Sequence, residues 1–204
     1  MSPPSESVVN RPTPWNLPNA LTMLRLVLVP VFGWLLLREN GTDEASRIAA
    51  FVVFLVASIT DFLDGKIARD RGIVTNFGKI ADPIADKALT GVALIGLSML
   101  GELQWWITIA ILIREIGITV LRFSVIRHGV MPAGRGGKTK TALQIVAICA
   151  YLLPLPDPLQ WVLLPLMLAA LVVTVVTGID YVMDARRLRA GSERTKRKRA
   201  RADG

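Results

Sequence analysis

The chain has 204 residues, of which 52% are hydrophobic and only 20% charged, and its mean hydropathy is +0.47. This apolar excess excludes a disordered chain and argues against an ordinary soluble enzyme. The single cysteine and single histidine exclude an intramolecular disulfide, a CxxC zinc site and a histidine-rich metal centre. The net charge of +8 is concentrated at one end, because residues 184–204 carry nine Lys and Arg against three acids.

Six apolar runs follow a polar leader at residues 1–15, and each is near the length that crosses a hydrocarbon core of about 30 Å. The leader lacks the apolar stretch and cleavage site of a secretory signal peptide. The sequence therefore predicts an all-α integral membrane protein, with a six-helix domain over 16–183 and a basic tail over 184–204. The predicted spans are 20–37, 45–69, 78–100, 105–127, 141–153 and 159–183.

The distribution of Lys and Arg predicts the orientation of these spans. Six spans place both termini on one side, and that side carries nineteen Lys and Arg, whereas the other carries only Arg38 and Arg47. This asymmetry predicts a multi-pass protein of the cell membrane with both termini in the cytoplasm. The basic tail is expected to anchor this topology against anionic headgroups; a nucleic-acid-binding arm is the alternative, and nothing else in the chain supports it.

Four aspartates, Asp61, Asp64, Asp82 and Asp86, lie within or at the ends of the second and third apolar runs. A carboxylate at membrane depth is costly unless it is paired or bound to a cation, so such residues are functional candidates. Asp61 and Asp64 are spaced i, i+3 and the other two i, i+4, so each pair shares one helix face. A short polar connection makes the two helices antiparallel neighbours, which predicts that all four carboxylates converge near the cytoplasmic surface.

Converging carboxylates need compensation, and Mg²⁺ or Mn²⁺ with oxygen ligands supplies it. Two such ions suit a phosphoryl displacement, because they clamp the attacking and leaving oxygens. Gly65 and Gly78 allow the backbone to approach a bulky ligand, Ala68 clears the same face, and Arg69 offers a planar fork for a phosphate. The alternatives are a carboxylate-lined cation transporter and a structural role in which the acids pair with Lys66, Lys79 and Lys87.

The stretch from Asp61 to Asp86 matches D-x2-D-G-x2-A-R-x8-G-x3-D-x3-D at all eight fixed positions. This pattern resembles the signature of the CDP-alcohol phosphotransferase family of membrane enzymes. The resemblance implies six transmembrane helices, two Mg²⁺ ions, usually a homodimer, and attack of an alcohol on the β-phosphorus of a CDP-linked lipid with release of CMP. It further implies that Asp61, Asp64 and Asp82 are metal ligands and that Asp86 is the general base and a metal ligand. The residues expected to bind CDP-diacylglycerol are Asp61, Asp64, Gly65, Ala68, Arg69, Thr75 and Gly78.

Other segments resemble the family members whose acceptor is sn-glycerol 3-phosphate. They are the entry helix with Asn19, Thr22 and Arg25, and the segments around Arg114-Glu115 and Gly137–Gln144. An anionic acceptor fits a basic cluster beside the metals, and the residues expected to bind its phosphate are Arg114, Arg122, Lys138 and Lys140, joined by Arg135. Glu115 is expected to pair with a neighbouring basic residue, and Arg114 has a structural alternative in salt bridges that lock the bundle. Inositol phosphate and phosphatidylglycerol remain alternative acceptors.

Overall fold

The computed structural model describes residues 17–70, 76–125 and 136–202, and within them it places the side chains of 19–62, 81–121, 124, 140–156 and 158–186. Every regular element in these ranges is a helix, which confirms the predicted all-α class. A short 3₁₀ turn at Arg38–Gly41 follows the first helix. The helices are α1 Leu17–Leu37, α2 Glu44–Asp70, α3 Asn76–Met99, α4 Trp105–Val125, α5 Gly136–Leu152, α6 Asp157–Gln160 and α7 Leu163–Ala202.

Each of the six predicted apolar runs overlaps one of the six long helices. Among the described residues, three stretches are long and apolar enough to cross a membrane: Asn19–Gly41, Glu44–Phe62 and Pro158–Arg186. The apolar stretch Lys140–Leu152 is shorter. Six spans and the cytoplasmic position of the termini therefore stay predictions.

The last apolar run differs from the prediction at both ends. It is divided into the four-residue α6, which begins beside Pro156 and Pro158, and α7, which begins at Leu163 rather than at residue 159. The helix α7 also continues through Ala202, far beyond the predicted end at residue 183. The basic segment lacks proline and is rich in Ala, Arg and Lys, which favour helix, so nothing in it ends α7 earlier.

The helix α1 organises one half of the bundle, because it packs against both α2 and α3. Among the described residues, α2 and α3 touch each other much less than either touches α1, so these parts of the predicted neighbours meet largely through α1. Gly96 on α3 allows α1 and α3 to approach closely, because a Cβ at this position would lie 2.5 Å from a methyl carbon of Leu36 on α1. Phe32 and Phe54 add a ring contact at 5.5 Å between α1 and α2.

The helix α7 organises the other half, where it packs against α4 and α5. Contacts of α2 with α5 and of α3 with α4 join the two halves around one continuous apolar core. At the end of the bundle that holds the α1–α2 and α3–α4 connections, the buried Arg47 donates to both Glu102 oxygens, at 2.5 and 2.9 Å, and to the Tyr151 carbonyl at 2.6 Å. This cluster ties three parts of the chain together opposite the aspartate end.

Candidate active site

The helix α1 holds two of the predicted acidic residues in place. Arg25 Nη1 lies 2.5 Å from Asp61 Oδ1 on α2, and the Thr22 hydroxyl donates to Asp82 Oδ1 on α3. Thr22 and Arg25 are three positions apart and therefore share one face of α1. Both are buried, as is Asn19 one turn earlier. The entry-helix residues that the sequence singled out thus lie at the aspartate site, and two of them contact the aspartates directly.

The predicted metal ligands are partly within the described side chains. Asp61, Asp82 and Asp86 are placed, whereas the side chain of Asp64 lies outside the described set. Within the described residues, no three Asp, Glu, His or Cys side chains form a group that could hold a metal ion. The chemistry of the donor set nevertheless fits Mg²⁺, because carboxylate oxygens are the hard ligands that this ion prefers. The two-metal site therefore stays a prediction.

The predicted CDP-diacylglycerol pocket falls on a part of the chain whose side chains are not described. The backbone there continues α2 to Asp70 and begins α3 at Asn76. The pocket residues that lie outside the described side chains are Gly65, Ala68, Arg69, Thr75 and Gly78.

A cavity of about 230 Å³ opens beside Asp86, between α3, α4 and α5. Its floor is apolar, with Leu112 and Ile145 among the lining residues. Its polar lining residues are two lysines, two acids, an amide and two hydroxyl residues: Asp86, Lys87, Thr90, Glu115, Lys140, Thr141 and Gln144. A larger cavity of about 570 Å³ lies at the opposite end of the bundle, beside Arg47 and Glu102, which neutralise each other there. The smaller cavity is the one that adjoins the aspartates.

Glu115 is the electrostatic centre of the smaller cavity. Its carboxylate accepts hydrogen bonds from Lys140 on α5, from Lys87 on α3 at 3.4 Å and from the neighbouring Arg114 at 3.1 Å. The side chain of Glu115 is 15% exposed and that of Lys140 is 10% exposed, so these charges are largely removed from water. The expectation that Glu115 pairs with a nearby basic residue is confirmed, and the pairing includes three cations from three helices.

Arg114 contacts α7 with the rest of its guanidinium. Its Nε donates to the Thr174 carbonyl at 2.7 Å, and its Nη2 donates to the Thr177 hydroxyl at 2.8 Å. The aliphatic part of Arg114 packs on Gly178, where a Cβ would lie 3.3 Å from Arg114 Cγ. These contacts correspond to the structural alternative for Arg114, while its predicted role in binding the acceptor phosphate stays a prediction.

Of the other residues predicted to bind the acceptor phosphate, the structure describes the side chain of only one. Lys140 lines the cavity, whereas Arg122, Arg135 and Lys138 lie outside the described side chains. Sequence reasoning missed Gln144 as a cavity residue and missed the contribution of α7. A usable signal was present, because Thr174, Thr177 and Gly178 interrupt an apolar run and polar groups inside such helices commonly contact another helix.

Comparisons with known proteins identify the family of this chain. Residues 15–176 match the family model described as CDP-alcohol phosphatidyltransferase. A probable phosphatidylglycerophosphate synthase of Mycobacterium tuberculosis is 51% identical over 193 residues, which are 95% of this chain and 92% of the relative. The CDP-diacylglycerol–glycerol-3-phosphate 3-phosphatidyltransferase of Bacillus subtilis is 37% identical over 82% of this chain and 93% of its own length.

A CMP-forming cardiolipin synthase of Streptomyces coelicolor is also similar, at 33% identity over 72% of this chain and 68% of the relative. The resemblance carried by the aspartate motif is therefore confirmed over most of the chain. This chain is a transferase that belongs to the CDP-alcohol phosphatidyltransferase family.

Proposed function

We propose that the chain transfers a phosphatidyl group from CDP-diacylglycerol to sn-glycerol 3-phosphate and releases CMP. The observation that carries this proposal is the cavity beside Asp86, because its lining includes one aspartate of the acidic motif together with Lys87 and Lys140. Lys87 and Lys140 can each donate a charge-assisted hydrogen bond to a phosphate, while Asp86 and Glu115 balance their charge when no ligand is bound. The names of the relatives from M. tuberculosis and B. subtilis point to the same acceptor.

The transfer requires one bond to form and one to break. The terminal hydroxyl of the acceptor attacks the β-phosphorus of CDP-diacylglycerol, and the bond from that phosphorus to the bridging oxygen breaks, so CMP leaves. Asp86 takes the hydroxyl proton as general base, since it lines the cavity in which the acceptor is expected to lie. Lys140 and Lys87, which line the same cavity, hold the acceptor phosphate.

The acidic motif is proposed to hold two Mg²⁺ ions, or Mn²⁺, through Asp61, Asp64, Asp82 and Asp86. When bound, such ions supply charge stabilisation for the attacking and leaving oxygens of the phosphoryl transfer. The protein's own part is to orient the ligands, which Arg25 does for Asp61 and Thr22 does for Asp82. Gly65, Ala68, Arg69, Thr75 and Gly78 are proposed to form the nucleotide-lipid pocket at the adjoining ends of α2 and α3.

The proposed placement is a multi-pass protein of the cell membrane, with six spans, cytoplasmic termini and the active site at the cytoplasmic face. The excess of Lys and Arg on the side of the α2–α3 and α4–α5 connections supports it. A homodimer is proposed on the family resemblance. Family membership leaves the cation-transporter alternative without support.

Phosphatidylglycerol, an anionic lipid, is the second candidate acceptor, since one similar protein is named a cardiolipin synthase. An acceptor panel tests the choice. Purified protein receives CDP-diacylglycerol, Mg²⁺ and one acceptor at a time: sn-glycerol 3-phosphate, inositol phosphate or phosphatidylglycerol. CMP release that depends on glycerol 3-phosphate is the expected result. Release that depends only on one of the other two acceptors would overturn the proposed acceptor while leaving the reaction class intact.

A further inference from the structure

Gln144 is a buried residue whose side chain lines the cavity beside Asp86. It is only 4% exposed. Among the residues that the structure describes, none forms a hydrogen bond with its carboxamide. Neither polar atom of this carboxamide is completely buried, so both reach the cavity, where a ligand or ordered water can hydrogen-bond them. A cavity of about 230 Å³ has room for several waters or for one small polar molecule.

The position of Gln144 on α5 indicates which part of a ligand it meets. It follows Lys140 by four residues, so the two share one face of α5 and are separated by about 6 Å along the helix axis. Lys140 supplies positive charge and Asp86 supplies negative charge to the same cavity, whereas the carboxamide is neutral and both donates and accepts hydrogen bonds. A neutral hydroxyl is the group that matches both capacities of the amide.

We propose that Gln144 is a specificity-determining residue that hydrogen-bonds the C2 hydroxyl of the acceptor. This inference rests on the proposed function. In sn-glycerol 3-phosphate, the phosphate meets the lysines and the terminal hydroxyl meets Asp86. The middle hydroxyl then lies among the neutral polar lining residues, Thr90, Thr141 and Gln144, of which Gln144 has the longest side chain and both donates and accepts hydrogen bonds. The enzyme thereby selects three-carbon phosphates that carry a hydroxyl at the central carbon.

The test compares two acceptors that differ only in that group. Full-length protein with CDP-diacylglycerol and Mg²⁺ is assayed with sn-glycerol 3-phosphate and with 3-hydroxypropyl phosphate, which lacks the C2 hydroxyl. The wild type is expected to show kcat/KM about tenfold lower for 3-hydroxypropyl phosphate, because a buried amide loses its partner. Gln144→Leu is expected to abolish this preference by lowering kcat/KM for glycerol 3-phosphate alone, with KM for CDP-diacylglycerol unchanged.

Two further variants guard against a folding defect. Gln144→Met keeps the length of the side chain without the amide, and it replaces Gln144→Leu if the leucine variant fails to fold. It is expected to lose the preference for glycerol 3-phosphate in the same way. Ser98→Ala removes a buried hydroxyl of α3 outside the cavity and is expected to retain the full preference.

The outcomes separate this inference from the proposed function. Equal use of both phosphates by the wild type, or an undiminished preference in a folded Gln144 variant, would overturn the role of Gln144 while the transfer reaction stands. A wild type that uses neither phosphate as acceptor would overturn both.

Discussion

Arg25 on α1 places its Nη1 2.5 Å from Oδ1 of Asp61 on α2, 36 positions later in the chain. The arginine side chain is completely buried, whereas that of the aspartate is 40% exposed. The first residue of the acidic motif is therefore oriented by a cation from outside the motif. With Thr22 contacting Asp82, α1 aligns the acidic faces of α2 and α3, whose described parts touch each other little.

Replacing Arg25 by Met should release Asp61 and lower both stability and turnover. A charge-assisted hydrogen bond contributes about 1.5–3 kcal/mol, and the lower end applies because water screens the half-exposed carboxylate. Arg25→Lys keeps the charge but loses the planar fork, so its effect should be smaller. Thermal unfolding in detergent and CMP release measure the two effects. An Arg25→Met protein with unchanged Tm and turnover would contradict this role.

Glu115→Gln should weaken acceptor binding specifically. The substitution removes the negative charge shared by Lys87, Arg114 and Lys140, so the lysines lose their orientation in the cavity. KM for glycerol 3-phosphate should rise about tenfold, the loss expected for one charge-assisted hydrogen bond, while KM for CDP-diacylglycerol stays near the wild-type value.

The matched control for this substitution is Glu102→Gln at the opposite end of the bundle. It also breaks an ion pair of a buried cation, Arg47, but at the end of the bundle opposite the cavity beside Asp86. It should lower the Tm without changing the acceptor KM. If both variants changed the acceptor KM equally, the effect of Glu115 would be one of general stability.

Gly178→Ala should separate α7 from Arg114. The new methyl group would lie 3.1 Å from Arg114 Nε, which is the atom that donates to the Thr174 carbonyl. Such overpacking costs about 1–3 kcal/mol, so the Tm should fall. Gly117→Ala on α4 is the control, because nothing lies within 4 Å of its added methyl. That variant should be neutral or slightly stabilising, as alanine favours helix. Equal melting temperatures of the two variants would argue against the Arg114 contact.

The sequence predicted the helices and the acidic motif because both depend on local signals. Apolar runs separated by polar connections defined α1 to α5, and the spacing of the four aspartates placed each pair on one helix face. The contacts of Arg114 with Thr174 and Thr177 were beyond such reasoning, because they join residues about 60 positions apart. The pairing of Glu115 with a basic residue was expected from the sequence and is found. Which cations pair with it could not be predicted, because that depends on how three helices pack. The extension of α7 was missed because apolar length marks a span and not the end of a helix.

Removal of divalent metal should abolish the reaction. EDTA is expected to stop CMP release, and added Mg²⁺ or Mn²⁺ to restore it, if the acidic motif holds two ions. Asp61→Asn, Asp64→Asn and Asp82→Asn should each lose most of the turnover in protein that is still folded, as judged by circular dichroism. Undiminished CMP release after chelation would contradict the two-metal proposal.

The most direct test of the account follows one oxygen atom through the reaction. sn-Glycerol 3-phosphate labelled with ¹⁸O in its C1 hydroxyl is incubated with CDP-diacylglycerol, Mg²⁺ and the wild-type protein, and the products are analysed by mass spectrometry. Attack on the β-phosphorus predicts that phosphatidylglycerophosphate retains the label and that CMP is unlabelled. Asp86→Asn should form the same labelled product about 10²–10⁴-fold more slowly, because the general base is missing. Phosphatidic acid formed together with a labelled cytidylyl ester of glycerol 3-phosphate, or an unlabelled phosphatidylglycerophosphate, would contradict phosphatidyl transfer at this site.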